Sequence, residues 1–193
     1  MTNSKLLQQI SQKECDKEEI AEQVIKKPEL LSEVFEGLSA DKASIKYGCD
    51  KILRIISQKE PSLLYPKIDF FIHNLDCENT FLKWGAIDII ANLAAVDSDK
   101  KIEKILDQYF SPIPGPVLIT AANVVKAAAR IALAKPQLTE RITKELMKVE
   151  EANYQTTECR RIALGHTIES FDKFFEQIRD KKTVVAFVKR QLN

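Results

Sequence analysis

The sequence predicts an all-α protein whose helices form antiparallel pairs stacked into a solenoid. Three observations carry that prediction: apolar residues recur at the helical period along nearly the whole chain, strict alternation is almost absent, and one pattern returns every 37 residues. Composition agrees. The 193 residues are 45% hydrophobic, 7% aromatic and 30% charged, with five Gly and seven Pro, too few for a turn-rich all-β chain.

Taken in order, 16–26 and 28–38 are short helices that cap the N-terminal end. In 41–58, Ile45, Gly48, Ile52, Ile55 and Ile56 share one face, and Asp41 stands at the N-cap. The helix over 61–75 opens on Pro61 and should kink or restart at Pro66, which lacks an amide donor. Leu82, Ile89, Ile90 and Leu93 make the stripe of 78–96, and Ser98 stands as N-cap for 99–110. SPIPGP (111–116), with a single Gly, reads as a linker with some hinge freedom and cannot form a phosphate nest. Helices follow over 116–134 and 136–150, the latter with Leu138, Ile142, Leu146 and Val149 on one face, then over 154–168, 170–179 and 181–191.

The repeat shows in KYGCDKIL (46–53) against KWGAIDII (83–90). Carried on, the offset aligns Gly48, Gly85, Ala122 and Cys159, then Leu53, Ile90, Ala127 and Leu164, and in the second helices Ile68, Ile105 and Ile142. A Gly inside a helix costs ~1 kcal/mol relative to Ala, so Gly48 and Gly85 predict close approach of a neighbouring helix backbone. A two-helix unit cannot bury its apolar stripe alone and must stack on its neighbours. This divides the chain into capping helices (1–40), four repeats (41–77, 78–114, 115–152 and 153–180) and a C-terminal helix (181–193), in one continuous domain.

In residues 41–180 the long first helix, the Pro-marked turns (Glu60-Pro61, Lys135-Pro136) and the shorter second helix resemble the HEAT/armadillo-type α-solenoids. The resemblance implies a right-handed α–α superhelix whose second helices line a concave face used to bind proteins. It implies a non-enzymatic scaffold or adaptor. Fold alone names no ligand.

Net charge is +1, so the chain as a whole attracts neither polyanions nor membranes, although 1–125 carries −4 and 126–193 carries +5. No phosphate-binding, zinc-protease, hydrolase-elbow or EF-hand motif occurs. His73 and Cys77 are the one pair at ligand spacing, and no second pair accompanies them, so neither a metal nor an organic cofactor is expected. Cys15, Cys49, Cys77 and Cys159 show no paired spacing and read as reduced, mostly buried thiols. With no secretory leader and no apolar run long enough to cross a bilayer, the expected location is the cytoplasm.

Three features compete as sites. Asp88, set in the apolar run WGAIDIIANLA, caps a loop, pairs with a cation from an adjacent repeat or acts as a catalytic acid. Tyr47 and Trp84 share a repeat column, as inter-helix packing or as a nucleotide-stacking pair. Lys67, Lys104 and Arg141 form a basic column on the second helices and, with Phe70, His73, Asp107, Lys144 and Lys148, mark the face where an acidic or amphipathic protein segment would dock. Ordinary solvated lysines are the plain alternative. The HEAT-like DNA glycosylases that act on alkylated bases make nucleic acid the rival partner, but that requires a strongly basic surface. A third reading is a subunit of a larger assembly, with Val184, Val185, Phe187 and Val188 of the last helix needing cover.

Overall fold

The computed structural model describes residues 4–191. Residues 1–3 of the expected cap and 192–193 of the expected last helix lie outside that range. The described residues form thirteen α-helices joined by turns and short 3-10 segments, without a strand, so the chain is all-α. Two compact units divide it after Val96. Among the described residues no helix is long and apolar enough to cross a membrane.

The first unit holds α1 (Lys5–Ile10), α2 (Lys17–Lys26), α3 (Leu31–Gly37), α4 (Ala43–Lys59), α5 (Pro61–Leu64), α6 (Ile68–Asn74) and α7 (Thr80–Leu93). Asp16 caps α2 by accepting from the amides of Glu18 and Glu19 at 2.8 and 3.3 Å, and those two acids favour the positive end of the helix dipole. Around α4 pack α1, α2, α3, α5 and α7, burying Ile52, Leu53 and Ile56 against a core that includes Leu7, Ile10, Ile20 and Val24. Pro66 sits in a 3-10 turn (Tyr65–Lys67) between α5 and α6, the restart expected of it. The contacts from α4 to α7 and its cap run Tyr47 to Asn79, Arg54 to Asp88 and Ser57 to Asn92. Their order is the same on both helices, so α4 and α7 lie side by side and parallel.

The second unit holds α8 (Lys101–Lys104), α9 (Leu106–Phe110), α10 (Leu118–Ala134), α11 (Thr139–Met147), α12 (Thr157–Phe174) and α13 (Lys181–Gln191). Ala121, Ala127, Ala128, Ala129 and Ala132 are buried along α10, and small side chains of this kind allow the close approach of α12. Ser170 Oγ of α12 donates to the Val125 carbonyl at 2.9 Å. Phe187 of α13 meets Phe171 edge-on at 5.7 Å, so this chain itself covers Val184 and Phe187, while Val185 stays exposed.

Several expectations are corrected. Helix α1 is present, although its six residues are too short for a periodic signal. The expected helices 154–168 and 170–179 are one, α12, because Thr167 and Ser170 satisfy their hydroxyls at the Ala163 and Val125 carbonyls without breaking it. Of the cysteines only Cys49 is buried; Cys15, Cys77 and Cys159 are half-buried. Cys159 lies in the first turn of α12, whose end stands more open than a mid-helix position. Asp41 and Ser98 cap nothing. Asp97 does the second task, accepting from the amides of Lys101 at 2.8 Å and Ile102 at 3.3 Å. SPIPGP is pinned rather than hinged: Ile113 is buried, Tyr154 Oη donates to its carbonyl at 2.5 Å, and Asn153 N donates to the Pro114 carbonyl at 2.9 Å. Gly115 adopts φ +101, where an L side chain is strained.

Asp97 also ties α8 to α10. Lys135 Nζ stands 3.5 Å from its carboxylate and donates to its carbonyl at 2.6 Å, with both side chains largely buried. Truncating one member of a buried pair strands the other charge. Asp97→Ala is therefore expected to cost about 3–5 kcal/mol, read as a lower urea midpoint with unchanged slope.

Candidate functional site

The strongest concentration of chemistry lies on the paired faces of α4 and α7. An open cleft of about 370 Å³ is lined by Tyr47, Asp50, Lys51, Arg54, Ile55 and Gln58 from α4 and by Phe81, Trp84 and Asp88 from α7. Helical spacing explains the selection. Tyr47, Asp50 or Lys51, Arg54 and Gln58 succeed one another at three or four residues, as do Phe81, Trp84 and Asp88, so each set forms one ridge.

Aromatic rings wall the cleft. Phe81 lies 5.0 Å from Tyr47 and 5.3 Å from Trp84 between ring centroids, the latter edge-on, and it is 56% exposed. Asn79, the N-cap of α7, accepts from the Leu82 amide at 3.2 Å and donates to Tyr47 Oη at 3.5 Å, which locks the phenol to the start of the neighbouring helix. Tyr47 and Trp84 are thus half-buried in a solvent-facing wall, and the packing expectation holds only for part of each ring.

Two carboxylates and a guanidinium complete the lining. Arg54 Nε donates to Asp88 Oδ2 at 3.0 Å, so the acid singled out in WGAIDIIANLA pairs with a cation from the neighbouring helix α4. Asp50 is different. It is 9% exposed, and no described residue gives it a hydrogen bond or an ion pair. Burial pushes its carboxyl up to about 7, with Arg54 opposing and Asp88 adding to the rise. Its carboxylate lies directly over Gly85: a Cβ there would fall 2.0 Å from Asp50 Oδ1. Gly85 does mark a close approach, but of this side chain rather than of a helix backbone. At Gly48 the neighbour is likewise a side chain, Ile10 Cγ2 at 2.6 Å.

Asp50, Arg54 and Phe81 were not singled out from the sequence. A signal for Asp50 existed in the repeat itself, since the offset of 37 sets it opposite Ile87, a buried apolar position. A charge in a core column is informative for that reason.

The residues expected at the partner face are distributed over both units. In the first, Lys67 and Phe70 line a groove of about 760 Å³ with Pro28, Glu29, Leu31, Ser32, Phe35 and Glu36. Phe70 is 38% exposed and stands edge-on to Phe35 at 5.2 Å. His73 is exposed on α6 outside that lining. In the second unit Arg141 pairs with Asp107 at 2.6 Å and Lys148 with Glu145 at 2.6 Å, while Lys104 and Lys144 are exposed. Exposed pairs of this kind contribute little to stability and partly neutralise the basic column. No group of three or more His, Cys, Asp or Glu among the described residues is placed to hold a metal ion.

Two glycines should respond in opposite directions. Gly85→Leu displaces the Asp50 carboxylate and is expected to cost about 2–3 kcal/mol. Gly165, exposed within α12 with nothing within 4 Å of an added Cβ, should gain ~1 kcal/mol as Gly165→Ala. Chemical denaturation reads both signs. Asp50 sets a pH dependence. Its folded value lies above its ordinary 3.8, so the folded state holds a proton that the unfolded state releases. That contribution is complete below the ordinary value and lost as pH rises through about 7. Asp50→Asn should gain on the wild type between pH 4 and pH 8, by on the order of 3 kcal/mol. A difference that stays constant with pH would show that Asp50 titrates normally.

No family model, curated protein or solved structure matches this chain, so the site is read from its own chemistry.

Proposed function

We propose that the chain is a non-enzymatic helical-repeat protein of the HEAT/armadillo type, a scaffold or adaptor that holds a protein partner. In this reading its helices stack as antiparallel pairs in a right-handed superhelix. Support for the stacking comes from the parallel row of contacts between α4 and α7 and from the buried glycines at equivalent positions of the repeat. The reading also places the chain in the cytoplasm, on the strength of its four free cysteines.

The observation that carries partner binding is the groove holding Lys67 and Phe70. Its lining combines apolar Leu31, Phe35 and Phe70 with the acids Glu29 and Glu36 and the cation Lys67. That arrangement suits an amphipathic segment whose apolar side chains enter between the rings and whose charges meet the rim. An aromatic ring already half-ordered by its neighbours loses little further freedom on binding.

Affinity capture from the native lysate supplies the partner, and Lys67→Glu with Phe70→Ala tests the groove. The double variant is expected to bind at least about tenfold more weakly, with a large part of the loss in dissociation rate. Unchanged binding by a folded variant would remove the groove from the reading. A shift of random duplex DNA that weakens as salt rises would replace the protein partner with nucleic acid.

A further inference from the structure

We propose that the cleft between α4 and α7 is a pocket for a guanidinium group on an aliphatic stem, the chemistry of an arginine side chain. The proposal deepens the partner reading and rests on it only for the source of that group.

Four features converge. Asp50 is nine-tenths buried, lines the cleft and accepts no hydrogen bond from any described residue. Buried carboxylates normally have donors, and two oxygens without one match the paired N–H groups of a guanidinium fork. The three rings of Tyr47, Phe81 and Trp84 supply the flat apolar walls on which a planar, weakly hydrated cation stacks. Arg54 is already engaged by Asp88 at 3.0 Å and reaches Asp50 only through space, which leaves Asp50 without a directly bonded donor. Lys51 is exposed at the edge, where solvent screens its repulsion.

The same features disfavour other occupants. An anion would face Asp50 and Asp88. A primary ammonium is compact and strongly hydrated, and it uses the flat walls less well than a guanidinium. A neutral isostere can donate N–H groups to Asp50 but brings no positive charge to offset the buried carboxylate or to stack on the rings.

The test follows Trp84 fluorescence and amide NMR shifts while Nα-acetyl-arginine amide is added to the intact chain. Nα-acetyl-citrulline amide serves as the neutral isostere and Nα-acetyl-lysine amide as the alternative cation. The expected result is saturable binding with a dissociation constant on the order of 1 mM. Citrulline, and Asp50→Asn with the arginine probe, should each be at least about tenfold weaker. Phe81→Ala, which removes a ring already more than half exposed, should also weaken binding and serves if Asp50→Asn does not fold. Absence of saturation overturns the proposal, as does equal binding of citrulline or undiminished binding by both variants. An alanine-rich peptide with one arginine is then compared with agmatine. A tighter peptide assigns the guanidinium to a partner protein, and tighter agmatine assigns it to a free small molecule; either supports the pocket. None of these probes requires a captured partner, so failure here and failure of the scaffold reading are separate results.

Discussion

Each unit is assembled on one long helix that is buried along much of its length. Helices of four to eighteen residues are marginal in water by themselves, so their persistence depends on the faces they share. In the first unit α4 meets five other helices, and in the second α10 is buried mainly against α12. A side chain on such a helix has little choice of surroundings. What α4 carries at positions 48, 50, 52 and 53 must fit a space already claimed by its neighbours.

That constraint gives polar atoms in the core their significance. Ser57 of α4 accepts from Asn92 Nδ2 at 2.8 Å and itself donates to the Arg54 carbonyl at 2.7 Å. Asp97 is buried but satisfied by two amides and Lys135. Asp50 has the burial without the donors. Glycine at 85 admits its carboxylate, and the neighbouring helix lines the same cleft with the rings of Phe81 and Trp84. An arrangement that costs stability and opens onto a cleft is more economically read as a binding feature than as packing.

The groove and the cleft lie on different elements of the first unit. Lys67 and Phe70 belong to the segment around α6, whereas the cleft belongs to α4 and α7. The two are compatible with one partner touching both and with two separate ligands. Composition separates them chemically: the groove combines apolar residues with acids and a lysine, and the cleft is aromatic and holds the buried Asp50 carboxylate.

Helix content and the proline-marked starts were legible in the sequence, as was a close approach at Gly48 and Gly85, though the expected helix backbone is in fact a side chain at each. They are set by local backbone preference and by a repeated apolar period, both of which act over a few residues. Asp88 was legible as an anomaly because a charge interrupts an apolar run. That its cation is Arg54 was not visible, because residues 34 apart meet only when two helices stack in one register. The cap at Asp97 instead of Ser98 and the continuity of α12 through 169 depended on tertiary hydrogen bonds. The same holds for Asp50. One-dimensional pattern places it beside a buried glycine. Only the packing of α7 across α4 decided that its carboxylate lies over Gly85, among three rings and without a donor, because burial and hydrogen bonding are properties of neighbours brought together from distant parts of the chain.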